Sequence, residues 1–262
     1  MNVAITGSTS VIGIRLIQEL TKSGYQVTPL GGSLSCLWKL GERFPKGVSA
    51  DALIHLAHDR SMTLEENIRA AKELCESFPG IKIFLSSFSA HSNTKSNYGQ
   101  SKFAIEQIFA DSGGVSLRAG LVYGYEVSGM YARLEALIKS FPVTPVPYFG
   151  ASLLFTSHID DLINEIILSL NTDLGAPVFA AHNKPISLLE LSRQIANKEG
   201  LKRVLVPLPR QPIELLLKTA LLLIPKLSLI DSLTSLSSQA TNKDLSQLKI
   251  PTTVFREFDL NF

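Results

Sequence analysis

The sequence has few residues of the kinds that mark a specialised class of protein. Its two cysteines, Cys36 and Cys75, lie far apart and form no metal-ligand spacing, so we expect reduced core thiols and no metal site. It also lacks an excess of one charge, because 25 lysines and arginines against 23 aspartates and glutamates give a net charge of +2. The basic residues form no block, and a nucleic-acid partner is therefore not expected.

Long apolar runs are also missing. The longest, IELLLKTALLLI (213–224), lies between Pro212 and Pro225 and contains Glu214 and Lys218. A helix needs about 20 apolar residues to span a bilayer. We therefore expect a buried or interface helix, with a homodimer as one use for it, rather than membrane-surface association. The chain opens MNVAITG without a basic segment or cleavage site, so neither a signal peptide nor a location outside the cytoplasm is expected.

The first half of the sequence has a regular alternation of apolar runs and amphipathic segments. Strands are predicted at 2–6, 25–30, 52–57, 81–87 and from 115 within 115–124, with helices over 7–24, 62–77 and 98–110. Nearly continuous apolar strands that alternate with helices predict a parallel sheet covered on both faces. The length of 262 residues suits one elaborated α/β domain or two small ones.

After residue 124 the alternation breaks. The proline-rich FPVTPVPYFG (141–150) predicts a loop. FTSHIDDLINEIILSL (155–170) predicts a short strand, an aspartate cap and a helix, and 185–200 predicts a helix opened by Ser187 with Glu190 as a capping box.

This break defines the expected domain organisation. We predict a dinucleotide-binding core and a smaller, interleaved substrate-binding lobe. The core comprises 1–124 joined by 155–182, and the lobe comprises 125–154 and 183–262.

The turn TGSTSVIG, residues 6–13, is the first candidate site. It follows the first strand directly and opens the first helix. Glycines at such a point permit a sharp turn, and free amides with the helix dipole meet a pyrophosphate. An ordinary strand-to-helix turn is the alternative.

The end of the second strand bears on cofactor choice. Chains that bind NAD usually carry an Asp or Glu there, which holds the ribose 2′-hydroxyl. This sequence has Gly31, Gly32 and Ser33 instead, and Lys39 or Arg43 could neutralise a 2′-phosphate. The pattern favours NADP slightly over NAD, although both bases are also typical of solvated surface charges.

The stretch FLSSFSAHSNTKSNYGQSKFAIEQI (84–108) carries the main candidate for catalysis. If 98–110 is helical, Tyr98 and Lys102 lie one turn apart on the same face. A nearby ammonium lowers the pKa of a phenol, so Tyr98 could exchange a proton with a substrate oxygen that Ser87 holds. This spacing often occurs by chance, and the preceding Ser-Ser strand and the glycine turn are what favour a function.

Together these segments resemble the short-chain dehydrogenase/reductase superfamily, specifically its extended sugar-nucleotide branch, the NAD-dependent epimerase/dehydratase family. The segments that match in order are TGSTSVIG, DALIHLA, the Ser-Ser strand with YGQSK, LRAGLVYG and SHIDDL. The resemblance implies a Rossmann-like doubly wound parallel sheet with a smaller, interleaved C-terminal α/β lobe. It also implies an NAD(P) cofactor and a nucleotide-sugar substrate.

The resemblance implies residue roles as well. Tyr98 is the implied catalytic acid/base, Lys102 lowers its pKa and holds the nicotinamide ribose, and Ser87, ahead of Ser86, positions the substrate oxygen. Cofactor contacts are expected at Gly7, Ser10, Val11, Ile12, Gly13, Gly31, Ser33, Leu56, Ala57, His58, Ser86, Ala119 and Gly120. Further substrate contacts are considered at His91, Leu121 and Arg133, although a loop histidine or a surface arginine is the simpler interpretation of such residues.

Departures from the family pattern affect the expected reaction. Ser10 replaces the middle glycine of the fingerprint, which keeps its amide available but could weaken cofactor binding. No acid follows Ser87, which argues against a 4,6-dehydratase. The C-terminal part loosely resembles 4-keto-6-deoxy-hexosamine reductases, so reduction of a nucleotide-linked 4-keto sugar is favoured over 4-epimerisation. A regulatory or assembly protein that binds NADP without turnover is the hypothesis from a different class.

Overall fold

The computed structural model describes residues 1–31, 38–124, 129–148, 153–172, 175–209 and 245–259. Its central sheet contains β1 (Asn2–Thr6), β2 (Gln26–Leu30), β3 (Ala52–His55), β4 (Ile81–Ser87), β5 (Val115–Ala119) and β10 (Val178–Ala180). The spatial order is β10-β5-β4-β3-β1-β2, and every pairing is parallel.

Helices cover both faces of this sheet. They are α1 (Val11–Lys22), α2 (Leu64–Ser77), α3 (Asn97–Asp111) and α5 (Ile159–Ser169). Val3 and Ile5 of β1 pack in one core with α1 and α5, whereas Ala4 packs on the opposite face in a core that contains Leu74 of α2. Phe84 of β4 also packs on that opposite face, against α2 and α3. Side chains alternate across a strand, so a sheet covered on both sides needs apolar residues at successive positions. The predicted doubly wound parallel sheet is confirmed.

The order of the strands reverses next to β1. The chain leaves β1 for β2 on one side and then returns to β3 on the other side. In open α/β sheets, ligands bind in the crevice outside the carboxyl ends of the strands at such a point. The turn after β1 and the segment after β3 therefore define where a site is expected.

A second core lies outside the main sheet. Its elements are β6 (Leu121–Tyr123), α4 (Met130–Ser140), β7 (Val143–Tyr148), β8 (Leu153–Leu154), β9 (Thr156–His158), β11 (Ile186–Ser187), α6 (Leu188–Lys198) and β12 (Val204–Pro209). The pairs β6–β9 and β7–β12 are parallel, and β8–β11 is antiparallel. Tyr123, Ile138 and Leu191 are buried there with Phe258. The division into a cofactor-binding core and a substrate-binding lobe stays a prediction.

The prediction of a loop over 141–150 was wrong, because Val143–Tyr148 forms a strand. In a parallel pair only alternate residues direct their N–H groups at the partner strand. The Val204 amide donates to the carbonyl of Pro142, which fixes the even-numbered residues of both strands as the bonded ones. The prolines occupy odd positions of the strand and therefore remove no bond of this pair.

Hydroxyl side chains cap four of the described helices, and one of them is the predicted cap of α6, Ser187, whose bond from the Glu190 amide is one half of the predicted capping box. A hydroxyl accepts a hydrogen bond from the amide three residues further on at Ser10, Thr63, Ser96 and Ser187. The aspartate cap expected for α5 was wrong. His158 is its N-cap and accepts from the Asp160 amide, while Asp160 and Asp161 lie in the first turn, where the helix dipole favours negative charge.

The C-terminal segment from residue 249 to 256 runs back along the core. The backbone of Lys249 exchanges hydrogen bonds with Pro177 and Phe179 beside β10. The buried carboxylate of Glu165 on α5 accepts from the amides of Thr252 and Thr253, at 3.0 and 2.6 Å. The Leu-rich stretch 213–224 lies outside the described residues, and no helix within them is both long and apolar enough to cross a membrane.

Candidate active site

The turn after β1 brings four predicted cofactor contacts together, Gly7, Gly13, Leu56 and Ala57. Gly7 has a positive φ of 69°, and a Cβ there would lie 2.9 Å from the Ala57 nitrogen and 3.1 Å from the Leu56 Cβ. A Cβ on Gly13 would lie 2.4 Å from the Gly7 carbonyl oxygen. Both glycines are therefore required for the close approach of β1, β3 and α1 at the point where the strand order reverses.

Ser10 occupies the middle position of the turn without backbone strain. Its φ of −72° is open to any residue, and its Oγ donates to the Gly7 carbonyl and accepts from the Gly13 amide. The amides of Val11 and Ile12 form no hydrogen bond within the described part of the chain. These two donors at the N-terminus of α1 fit a phosphate group.

Tyr98 and Lys102 both lie in α3, as the spacing predicts. The Lys102 Nζ is 5.7 Å from the centroid of the Tyr98 ring and 4.4 Å from that of Phe84. It donates a 2.7 Å hydrogen bond to the Leu85 carbonyl, and its residue is 3% exposed. Burial lowers the pKa of Lys102 from 10.5 to about 7, opposed by the negative charge of Glu106.

His58 and Arg60 flank the Tyr98 ring. The His58 ring meets it edge-on at a centroid distance of 5.0 Å, and the Arg60 guanidinium lies 5.9 Å from its centroid. Burial, followed by the charges of Lys102 and Arg60, lowers the pKa of His58 to about 3. The imidazole is therefore neutral at physiological pH, and the cations beside Tyr98 are Arg60 and the protonated form of Lys102.

The serines at the end of β4 differ in their bonding. Ser86 is buried, and its Oγ has no hydrogen-bond partner among the described residues; the same holds for the His58 Nδ1. The Ser87 Oγ accepts from the Ser89 amide at 3.2 Å. Buried polar atoms are almost always hydrogen-bonded. The unpaired atoms therefore fit a polar ligand above the carboxyl ends of β3 and β4.

The other predicted contacts occupy varied positions. A Cβ on Gly120 would lie 2.4 Å from the Phe155 carbonyl oxygen, and the Ala119 carbonyl accepts from the Phe88 amide. Leu121 packs in the second core, His91 is buried and Arg133 is exposed on α4. Ser33 lies outside the described residues.

The end of β2 is closed by packing rather than by charge. Gly31 has φ +80°, and a Cβ there would lie 3.3 Å from the Trp38 carbonyl oxygen. The Trp38 indole donates to the carbonyls of Glu42 and Arg43, so this side chain is a packing residue. Lys39 and Arg43 are exposed.

Several site residues were missed at the sequence level. His55 of β3 bonds to the Thr6 hydroxyl at 2.7 Å and stacks on Phe84 and Phe109. Glu106 and Arg118 form a buried ion pair, with Nη2 and Oε2 2.7 Å apart. The available signal was a polar residue inside each apolar segment, because a buried polar group needs a partner.

A cleft of about 650 Å³ lies elsewhere, at the amino ends of β4 and β5. Lys82, Glu106, Ser116 and Asn171 are among the residues that line it. Since parallel strands share one direction, this cleft is at the opposite edge of the sheet from Ser86 and Ser87. No group of three or more potential metal-ligating side chains occurs in the described ranges.

The strand order, the glycine turn and the Tyr98–Lys102 pair define a protein of the Rossmann-like dinucleotide-binding fold class. Solved structures confirm the fold. The chain is similar to the UDP-glucose 4-epimerase of Thermus thermophilus in complex with NAD, with 20% identity over 81% of this chain and 88% of that one and a TM-score of 0.63.

Two further structures show the same likeness. The UDP-N-acetylglucosamine 4-epimerase of Bacillus cereus is 17% identical over 80% of this chain and 85% of that one, with a TM-score of 0.66. The dTDP-4-dehydrorhamnose reductase of Bacillus anthracis in complex with NADP is 16% identical over 80% and 86%, with a TM-score of 0.64. Sequence comparison finds no matching family model and no matching curated protein. At these identities the likeness establishes the fold.

Proposed function

We propose that this protein is an NAD(P)-dependent oxidoreductase that reduces the C4 carbonyl of a nucleotide-linked keto sugar. The observation that carries the proposal is the placement of Tyr98 beside the buried Lys102 at the carboxyl ends of β3 and β4, next to the glycine turn. Structures of the same fold include a reductase in complex with NADP and epimerases of nucleotide sugars, which supports this class of substrate.

The residues next to β1, where the strand order reverses, fit a nicotinamide dinucleotide. The Val11 and Ile12 amides would bind its diphosphate, and the unpaired atoms of Ser86 and His58 would meet its polar groups. When bound, the nicotinamide ring supplies the hydride. We favour NADP slightly over NAD, because β2 ends at Leu30 and the next residue is Gly31 rather than a carboxylate.

The protein's own groups would handle the proton. Tyr98 would give its phenolic proton to the substrate oxygen as the carbonyl is reduced, and the Lys102 ammonium would stabilise the phenolate that remains. The Ser87 hydroxyl would hold the substrate oxygen in place. His58, being neutral, would add no charge of its own to the phenol.

The experiment is consumption of NADPH and NADH with a panel of nucleotide-linked 4-keto sugars. Tyr98→Phe should lose about 10²–10⁴-fold in turnover, the usual contribution of a general acid, while dinucleotide binding persists. Tyr25→Phe is the matched control, because Tyr25 lies just before β2 and its hydroxyl accepts a bond from Asn171. Full activity of Tyr98→Phe would contradict the proposal. Binding without turnover by the wild type would favour the regulatory or assembly protein.

A 4-epimerase is the second candidate, because two of the similar structures are 4-epimerases. The two activities differ in the balance of cofactor. An epimerase interconverts two sugars with no net consumption of NAD, whereas a reductase consumes one NAD(P)H for each product. Chromatography of UDP-sugars after incubation with enzyme and NAD distinguishes them.

The proposed location in the cell is based on the substrate class and on the cysteines. Cys75 is a free, buried thiol, and burial raises its pKa. Such a thiol is compatible with a reducing compartment, and we propose a cytoplasmic location. A homodimer also stays a prediction.

A further inference from the structure

Lys102 lies in surroundings that oppose its charge. Its Nζ sits against the Phe84 ring and bonds to one neutral acceptor, the Leu85 carbonyl. The imidazole that stacks on the same aromatic group, His55, is buried and neutral, with a pKa lowered to about 3. Among the described residues, these immediate contacts of Lys102 supply none of the negative charge that a buried ammonium requires.

That negative charge comes from the next turn of α3. Glu106 is four residues after Lys102 and therefore lies on the same helix face. It is 1% exposed, and Arg118 of β5 binds its carboxylate in a two-pronged arrangement, with Nε–Oε1 and Nη2–Oε2 distances of 2.9 and 2.7 Å. This geometry fixes the carboxylate between the helix and the strand.

We propose that Glu106 is a positioning residue that favours the charged form of the Lys102 side chain, and that Arg118 holds the Glu106 carboxylate in the place where it can do so. The arrangement separates two tasks. Arg118 makes the direct hydrogen bonds to the Glu106 carboxylate. The ammonium of Lys102 can therefore face Tyr98 and a bound cofactor.

The ionisable groups around Lys102 support this assignment. Those facing it or acting on it are Tyr98 and Glu106 on α3, His55 on β3 and His58 just after β3. Arg118 on β5 bonds to Glu106. Among these, Glu106 is the group that raises the pKa of Lys102 against burial. The role rests on the proposed function, since catalysis at Tyr98 is what requires a charged Lys102; the charge itself can be measured without substrate.

The test is the titration of Lys102 by NMR in protein whose lysines carry ¹³C at the ε carbon, with the Lys102 resonance assigned by its loss in Lys102→Met. In Glu106→Gln the midpoint of the Lys102 titration should fall by about one pH unit or more, which corresponds to a roughly tenfold lower affinity for the proton. Glu106→Asp, which keeps the charge, should stay close to wild type. Glu165→Gln is the matched control, because it removes an equally buried carboxylate from a helix on the other face of the sheet.

A Lys102 midpoint in Glu106→Gln within about 0.3 units of wild type would overturn the proposal, as would an equal shift in Glu165→Gln. If Glu106→Gln does not fold, the double variant Glu106→Gln/Arg118→Met decides, since it removes both buried charges together. Its midpoint should also lie below that of wild type, and an unchanged midpoint would overturn the assignment. Failure of the NAD(P)H assay with a shifted midpoint would instead count against the proposed reaction alone.

Discussion

At the scale of single residues, two glycines with nearly the same backbone angle have different surroundings. Gly7 and Gly113 have φ of 69° and 72°, but a Cβ on Gly7 would meet Ala57 whereas one on Gly113 would meet nothing within 4 Å. Gly113→Ala should therefore cost only the strain of the left-handed conformation, about 1–2 kcal/mol. Gly7→Ala should cost clearly more, because the end of β3 must also move. Urea unfolding of both variants measures the difference. Equal losses of unfolding free energy would show that the contact of a Cβ at position 7 with Ala57 does not destabilise the protein.

Ser10 offers a second prediction, which concerns affinity. Its Oγ accepts a hydrogen bond from the Gly13 amide, which is one of the donors at the start of α1. Ser10→Gly would free that donor and lose an N-cap, which costs only a few tenths of a kcal/mol. We expect NADPH to bind several-fold more tightly by calorimetry.

The control for this change is Ser187→Gly, which removes an equivalent cap from α6. It should cost the same stability and leave NADPH binding unchanged. Weaker binding in Ser10→Gly would mean that the serine itself contributes to the site.

How much of the site could be predicted depended on whether its partners were local. The Tyr98–Lys102 pair is separated by one helical turn, so spacing alone placed both residues on one face. The Glu106–Arg118 pair joins a helix to a strand, and its geometry depends on how those two elements pack. The unpaired state of the Ser86 hydroxyl could not be read from sequence at all, because it depends on what surrounds it in three dimensions.

At the scale of elements, the contribution of the hydrogen bonds between α5 and the C-terminal segment can be tested. The Glu165 carboxylate accepts the amides of Thr252 and Thr253, and bonds to a charged acceptor contribute about 1.5–3 kcal/mol each. Glu165→Gln replaces one acceptor oxygen by a donor that faces an amide. The free energy of unfolding should fall by about 2 kcal/mol, with faster hydrogen exchange at Thr252 or Thr253.

Glu190→Gln on α6 serves as its control, because that side chain is about half exposed. It should change stability by less than about 0.5 kcal/mol. Unchanged exchange at both threonines in Glu165→Gln would show that other contacts hold the segment.

The same scale shows where local patterns fail. The helices α1, α2, α3 and α6 were predicted mainly from apolar periodicity, which is a property of neighbouring residues. The bounds of α2 and α3 lie within two residues of the prediction, whereas α1 and α6 are shorter than predicted. The strand Val143–Tyr148 was not predicted, because its prolines read as a loop. Its partner β12 begins about 60 residues later, and only that partner determines which N–H groups are needed.

At the scale of the whole molecule, buried bases predict how stability depends on pH. Burial lowers the pKa of His55 and His58 from 6.5 to about 3. As pH falls from about 6.5 towards 3, the unfolded chain takes up protons that the folded protein cannot hold, so stability falls in this window. Lys102 acts in the same sense at higher pH, since stability rises from about pH 7 to 10.5 as the unfolded chain loses its proton.

Urea unfolding at a series of pH values measures both windows. His55→Asn should flatten the fall below pH 6.5, and Lys102→Met should remove the rise above pH 7. His182→Asn is the control for a partly exposed histidine outside the main sheet. A pH profile that neither of the first two variants alters would contradict the buried-base explanation.

The topology of the whole molecule was only partly readable from sequence. Alternation of strands and helices is local, and it predicted a parallel sheet with both faces covered. The position of β10 beside β5 is not local, because about 60 residues, which include second-core elements and α5, separate the two strands in the chain. Their pairing depends on a return of the chain that no short pattern encodes.

The proline positions in β7 and β12 also bear on solubility. The odd-numbered residues of this pair direct their nitrogens outward, and those at 145, 147, 207 and 209 are prolines, which carry no hydrogen to donate. A strand from another molecule that approached either outer rim would find most of the donors it needs missing. Within the part of the chain that the structure describes, this pair therefore offers few donors for edge-to-edge aggregation, to which strand edges are otherwise prone.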